Sequence, residues 1–273
     1  MSSFRAACVQ LRSSDDIEEN VRIASDLIRE AKSKGAHFIA TPENTSLMAA
    51  DGGAKLENSY SEENDPALPR FRALAEELGV WLLIGSLPIR TSDSKTANRS
   101  FLIDPKGTIA ARYDKVFLFD VDLPSGETYR ESKTVAGGKR AAVADFPWGR
   151  LGLSICYDLR FPQLYRRLAQ AGSSFLAVPS AFTETTGKAH WHVLLRARAI
   201  ESGAFVIAPA QGGMHANGRQ TYGHSMIVGP WGEVLAEAGT EPCVISADID
   251  TDAVKIARQR VPSLRHDQEF EGP

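Results

Sequence analysis

Cysteine is scarce in this chain, with three in 273 residues, at positions 8, 156 and 243, and no C-x-x-C pair. That excludes a disulfide scaffold, which needs dense, paired cysteines, and a zinc ribbon, which needs clustered thiolates. An excess of positive charge is lacking too. Lys+Arg is 31 against Asp+Glu 34, a formal net charge of -3, whereas a nucleic-acid binder needs a basic face. No apolar run approaches the ~18 residues of a membrane span. Residues 1–12 reach charge too soon for a secretory signal. Neither G-x-G-x-x-G nor a P-loop occurs, so no nucleotide cofactor is signalled, and none of any kind is expected. These absences leave a soluble protein of the reducing cytoplasm as the default, without nucleic-acid or membrane partners.

The composition that remains is ordinary for a globular chain, 43% apolar and 24% charged, and the length admits one or two domains. Short β-like runs alternate with amphipathic stretches. A strand is predicted over 4–11 and a helix over 17–34, with apolar residues at Ile17, Val21, Ala24, Leu27, Ile28 and Ala31, ended by Gly35. Further strands are predicted over 37–41, 80–86, 174–178, 204–208 and 244–248. Further helices are predicted over 69–78, 162–171 and 190–202. Residues 51–65 and 123–138 read as the longest loops, a common place for the rim of a site.

Three turns share one grammar, with Pro second and Gly fourth: 104–107, 146–149 and 229–232, each between β-like runs. The first and third also match in their flanks, Phe-Leu-Ile-Asp-Pro-Lys-Gly against Met-Ile-Val-Gly-Pro-Trp-Gly. This hints at two similar halves within one domain; the bland reading is that x-Pro-x-Gly is simply a common turn. Strands interleaved with helices and hairpins argue an α/β class with mixed sheets.

Four residue types invite chemistry. Cys156 ends the predicted strand 150–155 and precedes Pro162, which suits a first helical position. A thiol near a helix N-terminus is expected to have a lowered pKa, which a nucleophilic cysteine requires; the alternative is a buried, inert cysteine. Cys8 and Cys243 read as core. Glu43, in Thr41-Pro42-Glu43-Asn44, is a general base if desolvated, or an exposed loop glutamate. Lys115, beside the apolar run Val116–Phe119, can neutralise charge developing on a carbonyl, or is a surface lysine. His190 and His192 face different ways on a helix and do not chelate together, so no metal site is expected. A Cys156–His224 dyad is a further option, without a protease signature around Cys156.

Taken in order, Glu43 in Pro-Glu-Asn, Lys115 in Tyr-Asp-Lys-Val-Phe-Leu-Phe-Asp and Cys156 in Cys-Tyr-Asp-Leu-Arg-Phe-Pro resemble the nitrilase superfamily of carbon–nitrogen hydrolases. The resemblance runs end to end, through Glu131-Ser132, Pro179-Ser180-Ala181-Phe182, the segment 186–191, the segment 196–201, Tyr222-Gly223-His224-Ser225 and Pro230-Trp231-Gly232. It implies one four-layer α-β-β-α sandwich domain spanning the chain, with pseudo-symmetric halves, dimerising through helices. It also implies roles. Glu43 would be the base, Cys156 the nucleophile, and Lys115 with the Tyr157 N–H the oxyanion donors, with Glu131 as an additional positioning carboxylate. Arg160 matches a substrate-carboxylate ligand, and Phe182 and Thr186 match pocket positions. For Arg160 a helix-start ion pair, and for Phe182 a place in the core, are the alternatives.

For substrate, the segments 179–182, 210–215 and 222–226 look most like the branch that splits deaminated glutathione into 2-oxoglutarate and Cys-Gly. The neighbouring ω-amidase branch, another small-acid amidase, an N-carbamoyl hydrolase and a catalytically silent binding protein on the same fold are the alternatives. The sequence departs from the family at Thr41, where Leu or Phe is usual, and over 49–65, which has no clear family pattern and is expected to rim the pocket.

Overall fold

The amphipathic stripe predicted over 17–34 forms a helix at Ile17–Ser33 in the computed structural model, which describes residues 3–123 and 126–272. Asp16 caps it, its carboxylate accepting from the Glu19 N–H at 3.0 Å, and Gly35 turns the chain out at φ 87°. Its buried Val21, Ala24, Ile28 and Ala31 pack on Ala7, Val9 and Ile39. Burial of an aliphatic side chain such as Ile28 contributes about 1.5–3 kcal/mol. The helix Leu68–Leu78, with Pro69 in its first turn and Gly79 at φ 60°, covers the same sheet face through Phe71 and Leu74.

That sheet has six strands in the order Cys243–Asp250, Ser3–Gln10, Phe38–Ala40, Trp81–Ser92, Lys95–Ile103 and Ile109–Asp114. A second six-stranded sheet runs Val234–Glu237, Met226–Val228, Phe205–Ala208, Phe175–Ala177, Gly149–Leu153 and Ala142–Phe146. The inner faces meet in a shared apolar core, where Phe4 contacts Phe175 edge-on at 5.5 Å and Phe38 meets Phe146 at 5.7 Å. The helices Pro162–Gln170 and Glu184–Ser202 close the far side with Leu164, Leu168, Trp191 and Leu195. The layers are therefore helix, sheet, sheet, helix.

The two sheets carry the same pairing pattern. From Cys243–Asp250, the first sheet pairs antiparallel, parallel, parallel, antiparallel, antiparallel. From Ala142–Phe146, the second does the same. The turns 104–107 and 229–232 then hold equivalent places, which accounts for their matching sequences. Gly107 N–H donates to Asp104 O at 3.0 Å and Gly232 N–H to Gly229 O at 2.9 Å. The turn 146–149 has no counterpart, because its equivalent strands, Cys243–Asp250 and Ser3–Gln10, come from opposite ends of the chain.

Several expectations change. The helix predicted over 190–202 begins at Glu184, capped by Thr183. The breaker-like Gly187 is required inside it, because a Cβ there would lie 2.2 Å from Tyr222 Cγ. The strand predicted over 80–86 continues to Ser92. The stretch 51–65 contains the helix Gly52–Glu57, and 123–138 contains the strand Thr128–Arg130, paired with Asp120–Asp122, and a 3-10 turn at Glu131–Lys133. Pro124 and Ser125 of that predicted loop, and Met1 and Ser2 of the predicted leader-free start, lie outside the described residues. Cys8 is core, but Cys243, on an edge strand, is only half-buried. No described helix is long and apolar enough to cross a membrane.

Candidate active site

The parallel strands of both sheets end at one place, where sheet-based sites commonly form. Glu43 follows Phe38–Ala40, and Cys156 follows Gly149–Leu153. Lys115 directly follows Ile109–Asp114, its N–H donating to Asn98 O at 3.0 Å. Glu131 opens the 3-10 turn beyond Thr128–Arg130. Gly85 lets the backbones approach, since a Cβ on it would meet Thr41 O at 2.1 Å and Pro179 Cβ at 2.5 Å. The unusual Thr41 hydroxyl is satisfied, accepting from Gly85 N–H at 3.1 Å and paired with Thr45 Oγ1 at 2.8 Å.

The four side chains form one network. Lys115 Nζ donates to Glu43 Oε1 and to Glu131 Oε2, both at 2.9 Å. Asn98 Nδ2 donates to the same two carboxylates at 2.8 and 3.1 Å. Glu43 Oε2 accepts from Ala181 N–H at 2.9 Å, and Glu131 Oε2 from Phe119 N–H at 2.7 Å. The Cys156 thiol faces Glu43 and feels its charge. Exposure is 3% for Glu43, 2% for Lys115 and 7% for Cys156, so neither the exposed-glutamate nor the surface-lysine reading holds.

Burial works against charge on Glu43, but the Lys115 ammonium and its hydrogen bond prevail and hold the carboxyl well below its usual range. Burial likewise opposes charge on Lys115, and Glu131 and Glu43 override it, raising the ammonium well above its usual value. The thiol is pushed up, first by burial and then by the Glu43 charge, against the pull of Lys115 and the Ala181 N–H. The resting site is thus carboxylate, ammonium and neutral thiol. This corrects the expected lowering by a helix N-terminus. The helix opens at Pro162, while Cys156 opens its own 3-10 turn, Cys156–Arg160, and faces a carboxylate.

That turn is held by Asp158, a residue the motif contains but sequence reasoning did not single out. Its carboxylate accepts from Tyr113 OH at 2.8 Å, Ile155 N–H at 2.8 Å and Phe117 N–H at 2.9 Å. Burial raises its pKa to about 6 against those donors. Cys156 itself sits at φ 50°, unusual for a residue with a side chain, with its N–H donating to Pro179 O at 2.9 Å.

A cavity of about 520 Å³ opens above the thiol, within the usual range for small-molecule sites. Tyr157, Arg160, Phe182 and Thr186 all line it, as do Ala49–Gly52 of the predicted rim. Arg160 makes no ion pair among the described residues; its guanidinium lies 5.8 Å from the Tyr157 ring centre and 5.4 Å from that of Phe182, with Nη1 3.3 Å from His190 Nδ1. Phe182 is both lining and core, tilted on Trp191 at 4.9 Å. Thr186 Oγ1 bonds Thr183 Oγ1 at 2.9 Å. Asn98, Lys55 and Arg219 also belong to the site and had no sequence signal: an asparagine in a strand and two cations in polar loops.

The histidines lie elsewhere. His224 Nδ1 and His192 Nε2 share Glu237 Oε1 at 2.9 and 2.8 Å, outside the cavity, so no dyad with Cys156 forms. Those three ligand atoms lie within 4.8 Å of one another, close enough to hold a metal ion, a pairing the His190–His192 spacing did not suggest. His215 is buried in hydrogen bonds to Ser13 O at 2.8 Å and Thr221 Oγ1 at 2.7 Å.

Comparison with known proteins places this geometry in context. The family model described as carbon–nitrogen hydrolase matches residues 5–259. A deaminated glutathione amidase of Synechocystis is 44% identical over 97% of this chain and 98% of its own length. The ω-amidase NIT2 of Homo sapiens is 38% identical over 97% of this chain and 95% of its own. Among solved structures, the C. elegans NitFhit protein superposes with a TM-score of 0.91 at 35% identity, covering 98% of this chain and 66% of that one.

Proposed function

The chain belongs to the carbon–nitrogen hydrolase family, and on that premise we propose that it is an amidase cleaving deaminated glutathione to 2-oxoglutarate and cysteinylglycine. The observation that carries this reading is Cys156 sharing one cavity with the Lys115–Glu43 ion pair and with Arg160.

In this reading Glu43 accepts the thiol proton as Sγ attacks the amide carbonyl carbon. The Lys115 ammonium and the Tyr157 N–H receive the oxyanion. Collapse breaks the C–N bond, Glu43 returns the proton to the leaving nitrogen, and cysteinylglycine departs. The 2-oxoglutaryl thioester remains on Cys156. Water then gives a proton to Glu43 and attacks the thioester; the C–S bond breaks, the thiol is reprotonated and 2-oxoglutarate leaves. Glu131 touches no reacting atom; it holds Lys115 in place. Arg160 suits the acyl carboxylate, since guanidinium binds carboxylate in a bidentate way. Phe182 and Thr186 shape the pocket around the acyl group.

The test is kcat/KM across deaminated glutathione, 2-oxoglutaramate and an N-carbamoyl amino acid. Deaminated glutathione is expected to lead by at least about tenfold, a difference within reach of one or two well-placed polar contacts. A preference for 2-oxoglutaramate would move the assignment to ω-amidase, which forms the same acyl enzyme.

The proposal includes a homodimer or larger homo-oligomer, packed on the outer face of Glu184–Ser202. Val193 and Ile200 there are exposed, Ile200 lying close to Gly232, the kind of apolar surface that contacts use. Light scattering is expected to give at least twice 29.7 kDa; a monomer mass would remove this part. The three unpaired thiols suit a reducing cytoplasm.

A further inference from the structure

Charge is unbalanced at the rim of the cavity. Lys55 and Arg219 both line it, and among the described residues neither is in an ion pair. Among the described residues Lys55 Nζ donates only to Asn44 Oδ1, at 3.0 Å. Arg219 Nη2 donates to Ala181 O at 3.0 Å, its guanidinium lies 5.5 Å from the centre of the Tyr129 ring, and its buried Nε has no partner. Each cation raises the cost of the other, and burial with Arg219 nearby depresses the Lys55 pKa. The carboxylates that act on Lys55, Glu131 and Glu43, are both already bound to Lys115.

This pairing is built rather than incidental. Lys55 sits on the helix Gly52–Glu57 and Arg219 on the loop between Gly212–Met214 and Gln220–Tyr222. Asn217 ties the two loops together, donating to Met48 O at 3.1 Å and Ala49 O at 3.0 Å and accepting from Arg219 N–H at 2.9 Å. Two cations held without a carboxylate partner over a cavity are complementary to an anionic ligand group.

We propose that Lys55 and Arg219 form a second anion subsite, which takes the carboxylate of the departing amine and so selects amides whose leaving group is a short peptide acid. This rests on the function proposed above. The acyl half stays bonded to Cys156 within reach of Arg160, which belongs to the same turn. The amine leaves first and must pass the rim. A two-residue leaving group spans at most about 7 Å from scissile nitrogen to terminal carboxylate, so its anionic end belongs near the rim rather than in the acyl pocket. The arrangement separates peptide-leaving amides from simple amides that release ammonia.

The experiment compares deaminated glutathione with its analogue carrying a primary amide in place of the glycine carboxylate, on wild type, Arg219→Met, Arg219→Lys and Lys55→Met. Wild type is expected to prefer the free carboxylate by at least about tenfold in kcat/KM, about what one lost charged contact removes. In Arg219→Met that preference should shrink to within about threefold, mostly through KM, with Lys55→Met and Arg219→Lys intermediate. Equal turnover of both compounds by wild type, or an equal loss on both in Arg219→Met, overturns the subsite. If deaminated glutathione is not the best substrate, cysteinylglycine and its amide are compared as inhibitors of the best amide. A stronger inhibition by the acid, lost in Arg219→Met, keeps the subsite while the substrate assignment falls. Equal inhibition, or a wild type that turns over no amide, removes the subsite.

Discussion

Cys156→Ala is expected to lower kcat/KM by at least about 10⁵-fold, the scale seen when a covalent nucleophile is removed, with the melting temperature nearly unchanged. The two halves of this expectation have separate physical sources. Activity disappears because no other thiol or hydroxyl in the network can form the acyl bond: the groups around Glu43 are an ammonium, an amide and a backbone N–H. Stability survives because alanine keeps the Cβ and meets the same backbone cost at φ 50°, and Asp158 still anchors the turn through three donors. Glu43 keeps the Lys115, Asn98 and Ala181 bonds. Intact-protein mass spectrometry gives the second readout. Wild type quenched during turnover should carry a 2-oxoglutaryl adduct that Cys156→Ala lacks. Retained turnover in the variant would sink the covalent mechanism. A wild type with neither turnover nor adduct on any amide would instead favour a silent binding protein on this fold.

What the sequence disclosed divides by range. The helix Ile17–Ser33 and the turns 104–107 and 229–232 were legible because caps, apolar period and Pro/Gly placement are local signals. Glu43, Lys115 and Cys156 stand in short characteristic segments, so they could be named, although their meeting depends on strands far apart in the chain. The direction of the Cys156 pKa was misread for that reason. The local argument weighed a helix N-terminus, whereas the structure sets burial and the distant Glu43 against the thiol. Asn98 looks like any polar strand residue until the sheet aims its amide at two carboxylates. Lys55, on a short helix, and Arg219, in a loop, both fall in stretches without apolar periodicity, and it is tertiary contacts such as the Asn217 tie that bring them together. The helix predicted over 190–202 starts earlier, at Glu184, because Gly187 is chosen for the approach of Tyr222, a tertiary demand that overrides helix propensity.

Lys115→Met gives the second large effect and reverses a pH dependence. Methionine matches much of the lysine stem but removes the charge, leaving the buried Glu43 beside Glu131 with Asn98 as their shared donor. Breaking a buried ion pair from one side costs about 3–5 kcal/mol, and losing a charged oxyanion donor costs at least about 10²–10³-fold in kcat. In wild type the Glu43 carboxyl is held below its usual value of 4.5, burial being outweighed by Lys115. Its contribution to stability is therefore fully present above pH 4.5 and is lost as pH falls toward the folded value. Without the ammonium, burial and the neighbouring carboxylate both act to raise the Glu43 pKa, which moves above its unfolded value. The folded variant then binds more protons than the unfolded chain across that window. Its stability is greatest below the unfolded carboxyl pKa and declines as pH rises through the folded one. Thermal melts of both proteins from pH 7 down to pH 5 measure this directly. The deficit of Lys115→Met relative to wild type should narrow as pH falls. A deficit that stays constant or widens would mean that Lys115 does not hold Glu43 ionised, and the electrostatic account of the site would fail with it.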